Sequence, residues 1–361
     1  MGQLARKNIL GITPYKPGKP IEEVKRQVGL RKVIKLASNE NPIGPSPKAV
    51  GAIKRALGKL NRYPDSGCFY LKQKLAKKLG IEVSNLIIAN GSDELIVLAL
   101  RAFVDEEEEV VIAKPTFLIY ELQARAENVN IMTVPLKDFR YDLPKMKEAI
   151  TDKTKLVFIS NPDNPTGSYV TQDEVEDFMD GLSQKVIVFF DEAYFELVDA
   201  GDFPKTLNYL NKKNVIITRS FSKAYGLSGL RVGYGISNPD LIGYLDRVRE
   251  PFNVNSLAQA GASAALDDHK HLERYRALIQ KGKAFLYSLF DELRLSYIKS
   301  AANFILVKVD DAADVVSSLL ERGVIVREMK AWGLDNFIRV TIGTMKENRM
   351  FRDALKEVLS K

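Results

Sequence analysis

Val186-Ile187-Val188-Phe189-Phe190 is an unbroken apolar run that leads straight into Asp191-Glu192-Ala193-Tyr194. A strand with one face in water alternates apolar and polar residues, whereas a short continuous run of β-branched and aromatic residues predicts a strand covered on both faces. The same pattern recurs on either side of it. Leu86-Ile87-Ile88-Ala89, Val110-Val111-Ile112-Ala113, Asn130-Ile131-Met132-Thr133-Val134, Leu156-Val157-Phe158-Ile159-Ser160 and Val215-Ile216-Ile217-Thr218 all read as strands. Between them, helices are predicted over 92–103, 116–126, 143–150 and 171–180. The last opens on Thr171-Gln172-Asp173-Glu174, a capping box with Thr171 as N-cap. Strands alternating with helices predict an α/β fold, a mostly parallel sheet sandwiched by helices.

After about residue 250 the pattern changes. A long helix is predicted over 269–293, followed by strands at Phe304-Ile305-Leu306-Val307, Val324-Ile325-Val326 and Phe337-Ile338-Arg339-Val340, with helices over 312–321 and 346–359. The expected organisation is therefore an N-terminal arm (1–40) punctuated by Pro14, Pro17 and Pro20, a large domain (41–250) and a smaller C-terminal αβ domain (251–361).

Composition narrows the chemistry. The 361 residues are 45% hydrophobic and 27% charged, which is globular, and 53 Lys+Arg against 46 Asp+Glu leaves a formal charge of +7. One cysteine, Cys68, excludes an internal disulfide, and with two histidines it cannot build a Cys/His zinc site. Catalysis is expected from Lys, Asp, Tyr, Arg or a borrowed cofactor, with no metal. Basic residues are spread along the chain, and the densest charge run, Asp105-Glu106-Glu107-Glu108-Glu109, is acidic, so no nucleic-acid partner is expected. No apolar run is long enough to span a membrane, and Met1-Gly2-Gln3-Leu4-Ala5-Arg6 does not read as a leader. A cytoplasmic protein is expected.

Four segments carry chemistry, each after a predicted strand. Ser220-Phe221-Ser222-Lys223-Ala224-Tyr225-Gly226-Leu227-Ser228-Gly229-Leu230-Arg231-Val232-Gly233 places a lysine between a serine and an arginine. That suits either a Schiff-base lysine beside a phosphate or an ordinary surface loop. Asp191 is either a helix cap or a buried charge, and a buried charge needs a cation. A protonated pyridine nitrogen would serve, worth roughly 4 kcal/mol at about 4 Å and an effective dielectric of about 20. Ser160-Asn161-Pro162-Asp163-Asn164-Pro165-Thr166-Gly167 is a connecting turn, or a loop that presents the Asn164 amide at the ligand-binding edge of the sheet. Asn90-Gly91-Ser92-Asp93-Glu94 is a helix start that binds phosphate readily and is also a common N-cap.

In this order the four segments resemble the fold-type I, class-II pyridoxal-phosphate (PLP) aminotransferases. Further matches are Leu36-Ala37-Ser38-Asn39-Glu40-Asn41-Pro42, Arg62-Tyr63-Pro64-Asp65, Pro115-Thr116-Phe117 and Ile338-Arg339-Val340-Thr341-Ile342-Gly343-Thr344, so the likeness spans roughly residues 10 to 345. It implies that Lys223 holds PLP covalently and later shuttles a proton, and that Asp191 pairs with the ring nitrogen. Asn164 and Tyr194 would hydrogen-bond the phenolic oxygen, and Ser222, Arg231 and the Gly91-Ser92-Asp93 turn would bind the cofactor phosphate. A homodimer is implied, with Tyr63 reaching the phosphate in the second subunit. Phe117 falls where the family stacks an aromatic ring, often a tyrosine; here the hydroxyl is lost and the stacking kept.

The resemblance also implies a substrate, histidinol phosphate exchanging its amino group with 2-oxoglutarate in histidine biosynthesis, with Tyr15, Arg327 and Arg339 gripping phosphate or carboxylate. Guanidinium forks suit both anions. Aromatic amino-acid transamination and threonine-phosphate decarboxylation are the alternatives. A non-catalytic regulator on this fold is disfavoured, because the motifs begin by residue 36 and leave no room for a DNA-binding domain.

Overall fold

The computed structural model describes residues 4–16, 18, 20–30 and 32–360. Met1–Gln3 and Pro17, used in reading the N-terminal segment, lie outside these. The strands are β1 (Ile34–Lys35), β2 (Leu86–Ala89), β3 (Glu109–Lys114), β4 (Asn130–Pro135), β5 (Thr154–Ser160), β6 (Ile187–Asp191), β7 (Val215–Ser220), β8 (Gly233–Ile236), β9 (Tyr297–Ile298), β10 (Phe304–Lys308), β11 (Val324–Ile325), β12 (Arg327–Glu328) and β13 (Phe337–Thr341). Seven of them form the central sheet in the order β2-β8-β7-β6-β5-β3-β4. All its pairings are parallel except those of β8, which is antiparallel to both neighbours.

The continuous apolar runs have the cause inferred for them. Along β6, Val188 and Phe190 enter one core while Ile187 and Phe189 enter the other, on the opposite face of the sheet. In β5, Val157 and Ile159 divide from Leu156 and Phe158 in the same way. Helix Ser92–Phe103 covers one face with Leu95, Ile96 and Ala99. Helix Gln172–Met179 lies in the core on the other, with Val175, Phe178 and Met179. Each fully buried Phe or Ile contributes about 1.5–3 kcal/mol of transfer free energy. The Thr171 capping box forms, with Glu174 N–H donating to Thr171 Oγ1 at 3.3 Å and Thr171 N–H to Glu174 Oε2 at 2.7 Å.

Among the differences from the sequence reading, two bear on the ligand-binding edge of the sheet. Strand β8 was not expected, because Gly233-Tyr234-Gly235-Ile236 carries too few side chains to read as a strand. A Cβ on Gly233 would lie 2.6 Å from the Ser92 nitrogen, so glycine is what allows β8 to lie against the turn after β2. The helix expected from Thr116 begins at Leu118, which leaves Thr116 and Phe117 in the loop after β3.

The second sheet, β12-β13-β10-β9, lies in the C-terminal part of the chain. Within the proline-marked N-terminal segment, helix Ile21–Val28 contributes Val24 to a small core with Ile325, and β1 pairs in parallel with β11. Residues 21–35 thus pack with C-terminal elements. No helix among the described residues is long and apolar enough to cross a membrane.

Candidate active site

Strands β2, β3, β5, β6 and β7 all end at the same edge of the sheet, the edge where open parallel sheets bind ligands. A cavity of about 300 Å³ lies there, lined by Ser92, Asp93, Phe117, Asn164, Asp191, Tyr194, Ser222, Lys223 and Arg231. Tyr15, Arg327 and Arg339 close it from the N-terminal segment and the second sheet.

Asp191, the last residue of β6, is 5% exposed. Its carboxylate accepts from Tyr120 Oη at 2.7 Å, from the Ala193 N–H at 3.1 Å and from Thr218 Oγ1 at 3.4 Å. All three donors are neutral, and no ion pair to Asp191 forms among the described residues. Burial pushes its pKa up to about 6, against the Tyr120 hydrogen bond that pulls it down. A buried carboxylate that meets only neutral donors suits a cationic ligand atom.

Lys223 lies in the loop after β7, and its Nζ donates to the Ser38 carbonyl at 3.4 Å. Burial, and then the nearby Arg339 guanidinium, lower its pKa to about 8. The neutral fraction near physiological pH is thereby far larger than for an ordinary lysine, which favours an amine nucleophile and base. Tyr194 is buried, and burial pushes its phenol up to about 12, so it remains protonated.

Gly91, at φ +83°, caps helix Ser92–Phe103 at its N-terminus. A Cβ there would collide with the Arg231 guanidinium, whose Cζ lies 3.1 Å from that position. Arg231 itself sits at φ 55° beside Asp93 (3.5 Å) and Ser222 Oγ (3.5 Å). The N-terminal end of a helix, a hydroxyl and a guanidinium thus converge in a cradle only a glycine leaves open, a setting for a phosphate.

Arg339 extends from β13, is 5% exposed, and donates to Asn164 Oδ1 and to the Ala37 carbonyl (3.1 Å). Its Nε is buried without an acceptor among the described residues, as is the Nε of Arg327. Arg327 donates to the Lys16 carbonyl at 2.6 Å and faces the Tyr15 ring, 5.5 Å from its centre.

Tyr63 does not join this group. It is 82% exposed and stacks on Phe252 with ring centres 4.6 Å apart. Other residues near the cavity were not singled out from sequence: Tyr120 and Thr218, which hold Asp191, and Asn39, which holds Tyr194. Tyr120 lies one helical turn after Phe117, a spacing that could have suggested a shared face. Thr218 lies opposite Asp191 in the β6–β7 register, a pairing only the fold reveals.

These residues fit PLP. The cofactor has a ring nitrogen to face Asp191, an aldehyde carbon for the Lys223 amine and a phosphate for the Gly91–Arg231 cradle.

Residues 31–355 match the aminotransferase class I and II family, and the chain belongs to it. Among its relatives, a histidinol-phosphate aminotransferase from Moorella thermoacetica is 49% identical over 98% of this chain and 93% of its own. Histidinol-phosphate aminotransferase 2 from Carboxydothermus hydrogenoformans is 46% identical over 99% of each. The crystal structure of histidinol-phosphate aminotransferase from Sinorhizobium meliloti in complex with pyridoxal-5′-phosphate superposes with a TM-score of 0.91 at 29% identity, covering 100% of this chain and 98% of that one.

Proposed function

We propose that this aminotransferase uses PLP to move an amino group between histidinol phosphate and 2-oxoglutarate, giving imidazole acetol phosphate and glutamate, the reverse of the biosynthetic direction. The observation that carries the substrate reading is the pair Arg327 and Arg339 at the cavity wall, each with a buried Nε that no acceptor among the described residues satisfies. Both partners, one a phosphate and the other a dicarboxylate, present an anion to the same forks. Full-length likeness to histidinol-phosphate aminotransferases supports the same choice.

When bound, PLP supplies the electron sink for charge that develops at the substrate Cα. The protein's part follows from its side chains. Asp191 holds a proton on the ring nitrogen, and the pairing in turn keeps its carboxylate ionised. Tyr194 and Asn164 orient the phenolic oxygen, and Phe117 packs on the ring face. Ser222, Arg231 and the Gly91-Ser92-Asp93 turn anchor the phosphate. Lys223, with its amine in the cavity and its pKa lowered, would act as the base that holds and moves the substrate Cα proton. A base so placed contributes about 10²–10⁴-fold.

We further infer a cytoplasmic homodimer in which Tyr63 reaches the phosphate bound by the other subunit. The exposed apolar surface around it, including Leu57, Leu60, Phe69, Tyr70 and Phe252, supports an interface there. Residues 41–250 would hold the cofactor, and 251–361, joined by the packed part of 1–40, would close over the substrate.

The test is a panel of histidinol phosphate, phenylalanine and tyrosine, each offered with 2-oxoglutarate. Histidinol phosphate is expected to lead in kcat/KM by about a hundredfold or more, since the aromatic acids leave part of the arginine pair unused. Phenylalanine in the lead would replace the substrate reading, and carbon dioxide release without a keto acid would indicate a decarboxylase.

A further inference from the structure

Asn39 is 1% exposed and sits at φ 55°, a left-handed conformation that Asn and Asp tolerate better than most residues. Its main-chain N–H donates to Thr341 Oγ1 at 2.9 Å, and that hydroxyl donates to Asn39 Oδ1 at 3.0 Å. Its Nδ2 donates to Tyr194 Oη at 2.9 Å, and its carbonyl accepts from Asn303 Nδ2 at 3.0 Å. In this orientation Thr341 Oγ1 accepts from the Asn39 N–H and gives its own proton to Oδ1, and Nδ2 is turned to Tyr194. Tyr194 Oη therefore accepts from Asn39, and its own proton is free to be donated elsewhere.

We propose that Asn39 is a positioning residue: by donating to Tyr194 it aims the phenol proton at the phenolic oxygen of the bound cofactor, with Thr341 of β13 holding the amide in that orientation from the second sheet. This rests on the reading above that Tyr194 and Lys223 face PLP. The small C-terminal sheet would then act on the cofactor's proton affinity without touching it. The charged groups around Tyr194 come from two strands and the loops after β5 and β7. They are Arg339 on β13, Asp191 on β6, Asp163 after β5, and Lys223, whose Nζ lies 5.8 Å from the ring centre.

The experiment is a pH titration of the visible absorbance band of the holoenzyme. Asn39→Asp keeps the side chain's shape and tolerates the left-handed backbone, but an ionised carboxylate can only accept, so it draws the Tyr194 proton to itself. A donor lost from the phenolic oxygen leaves more charge on the conjugated ring and favours retention of its proton, so the midpoint should rise by about one pH unit. Thr341→Val, which releases the amide, should raise it by less, and it carries the test if Asn39→Asp does not fold. Tyr194→Phe should raise the midpoint alone, and adding Asn39→Asp to it should raise it no further.

An unmoved midpoint in both Asn39→Asp and Thr341→Val, even with a lower melting temperature, would overturn the proposal. So would an equal shift from Asn39→Asp in the Tyr194→Phe background, because the carboxylate charge alone would then explain it. A wild-type holoenzyme with no visible band that titrates would instead sink the underlying reading of Tyr194 and Lys223.

Discussion

Asp191 and Glu192 are chain neighbours, both buried, and they resolve the cost of a buried carboxylate in opposite ways. Glu192 turns to the face of the sheet away from the cavity and meets Arg219, with Nε and Nη2 both 2.8 Å from its Oε2. Thr206 Oγ1 donates to its other oxygen at 2.6 Å, and Phe195 lies under the guanidinium, 3.4 Å from ring centre to Cζ. That site is closed within the chain. Asp191, one residue earlier and pointing to the cavity, is given a phenol, a hydroxyl and a backbone N–H but no cation. The same strand end thus separates a charge that supports the fold from a charge reserved for a ligand.

The contrast can be tested at each position. The largest effect is expected at Glu192→Gln, which takes from the buried Arg219 guanidinium the carboxylate it is hydrogen-bonded to. Urea unfolding should show a loss of about 3–5 kcal/mol, with turnover of the folded protein little changed. A loss under 1 kcal/mol would mean that the neighbouring Glu196 can take over the pairing. Asp191→Asn should do the reverse. Turnover should fall by about a hundredfold or more, on the scale of one preorganised electrostatic contact.

The cofactor-free Asp191→Asn protein should nonetheless be more stable than wild type at neutral pH. The Asp191 pKa rises from 3.8 to about 6 on folding, so the native state binds the proton more tightly than the unfolded chain does. Its stabilising contribution is whole below pH 3.8 and is lost as pH rises through about 6. Above that, burial of the charge costs up to about 3 kcal/mol, which the amide avoids. Melting temperatures of the two cofactor-free proteins from pH 4 to 8 should therefore diverge upward, and parallel curves would mean that Asp191 carries no such burden. The smallest effect is expected at Tyr63→Phe, which removes the single hydroxyl proposed to reach the phosphate of a second subunit. PLP retention measured by dialysis should weaken by about three- to tenfold, while the unfolding midpoint of the cofactor-free protein stays put.

How much of this was readable beforehand follows a physical division. Val186–Phe190 disclosed the sheet because burial on both faces writes itself into every residue of a strand. Lys223, Asp191, Asn164 and Arg231 stood out because each follows a strand end and belongs to a dense local motif. Strand β8 stayed hidden because the close approach of Gly233 to Ser92 removes the side chains by which a strand is recognised. Tyr120 and Thr218 escaped notice for another reason, and Thr341, though inside a matched segment, showed no role of its own. Their partners are Asp191 and Asn39, up to 302 residues away, and no local pattern says which neutral hydroxyl matters across such a distance. Packing of residues 21–35 on C-terminal elements was likewise invisible, because prolines signal the breaks in a segment and not what lies beneath it.

The reversal of β8 has a consequence for inheritance. Because the chain turns back between Ser220 and Gly233, Lys223 and Arg231 sit on one loop, pinned at its base by the Phe221 N–H donating to the Val232 carbonyl at 3.1 Å. A point substitution there touches one function at a time. An insertion or deletion of even one residue would move the Lys223 amine and the Arg231 guanidinium together, so the length of this loop is free to drift far less than its letters.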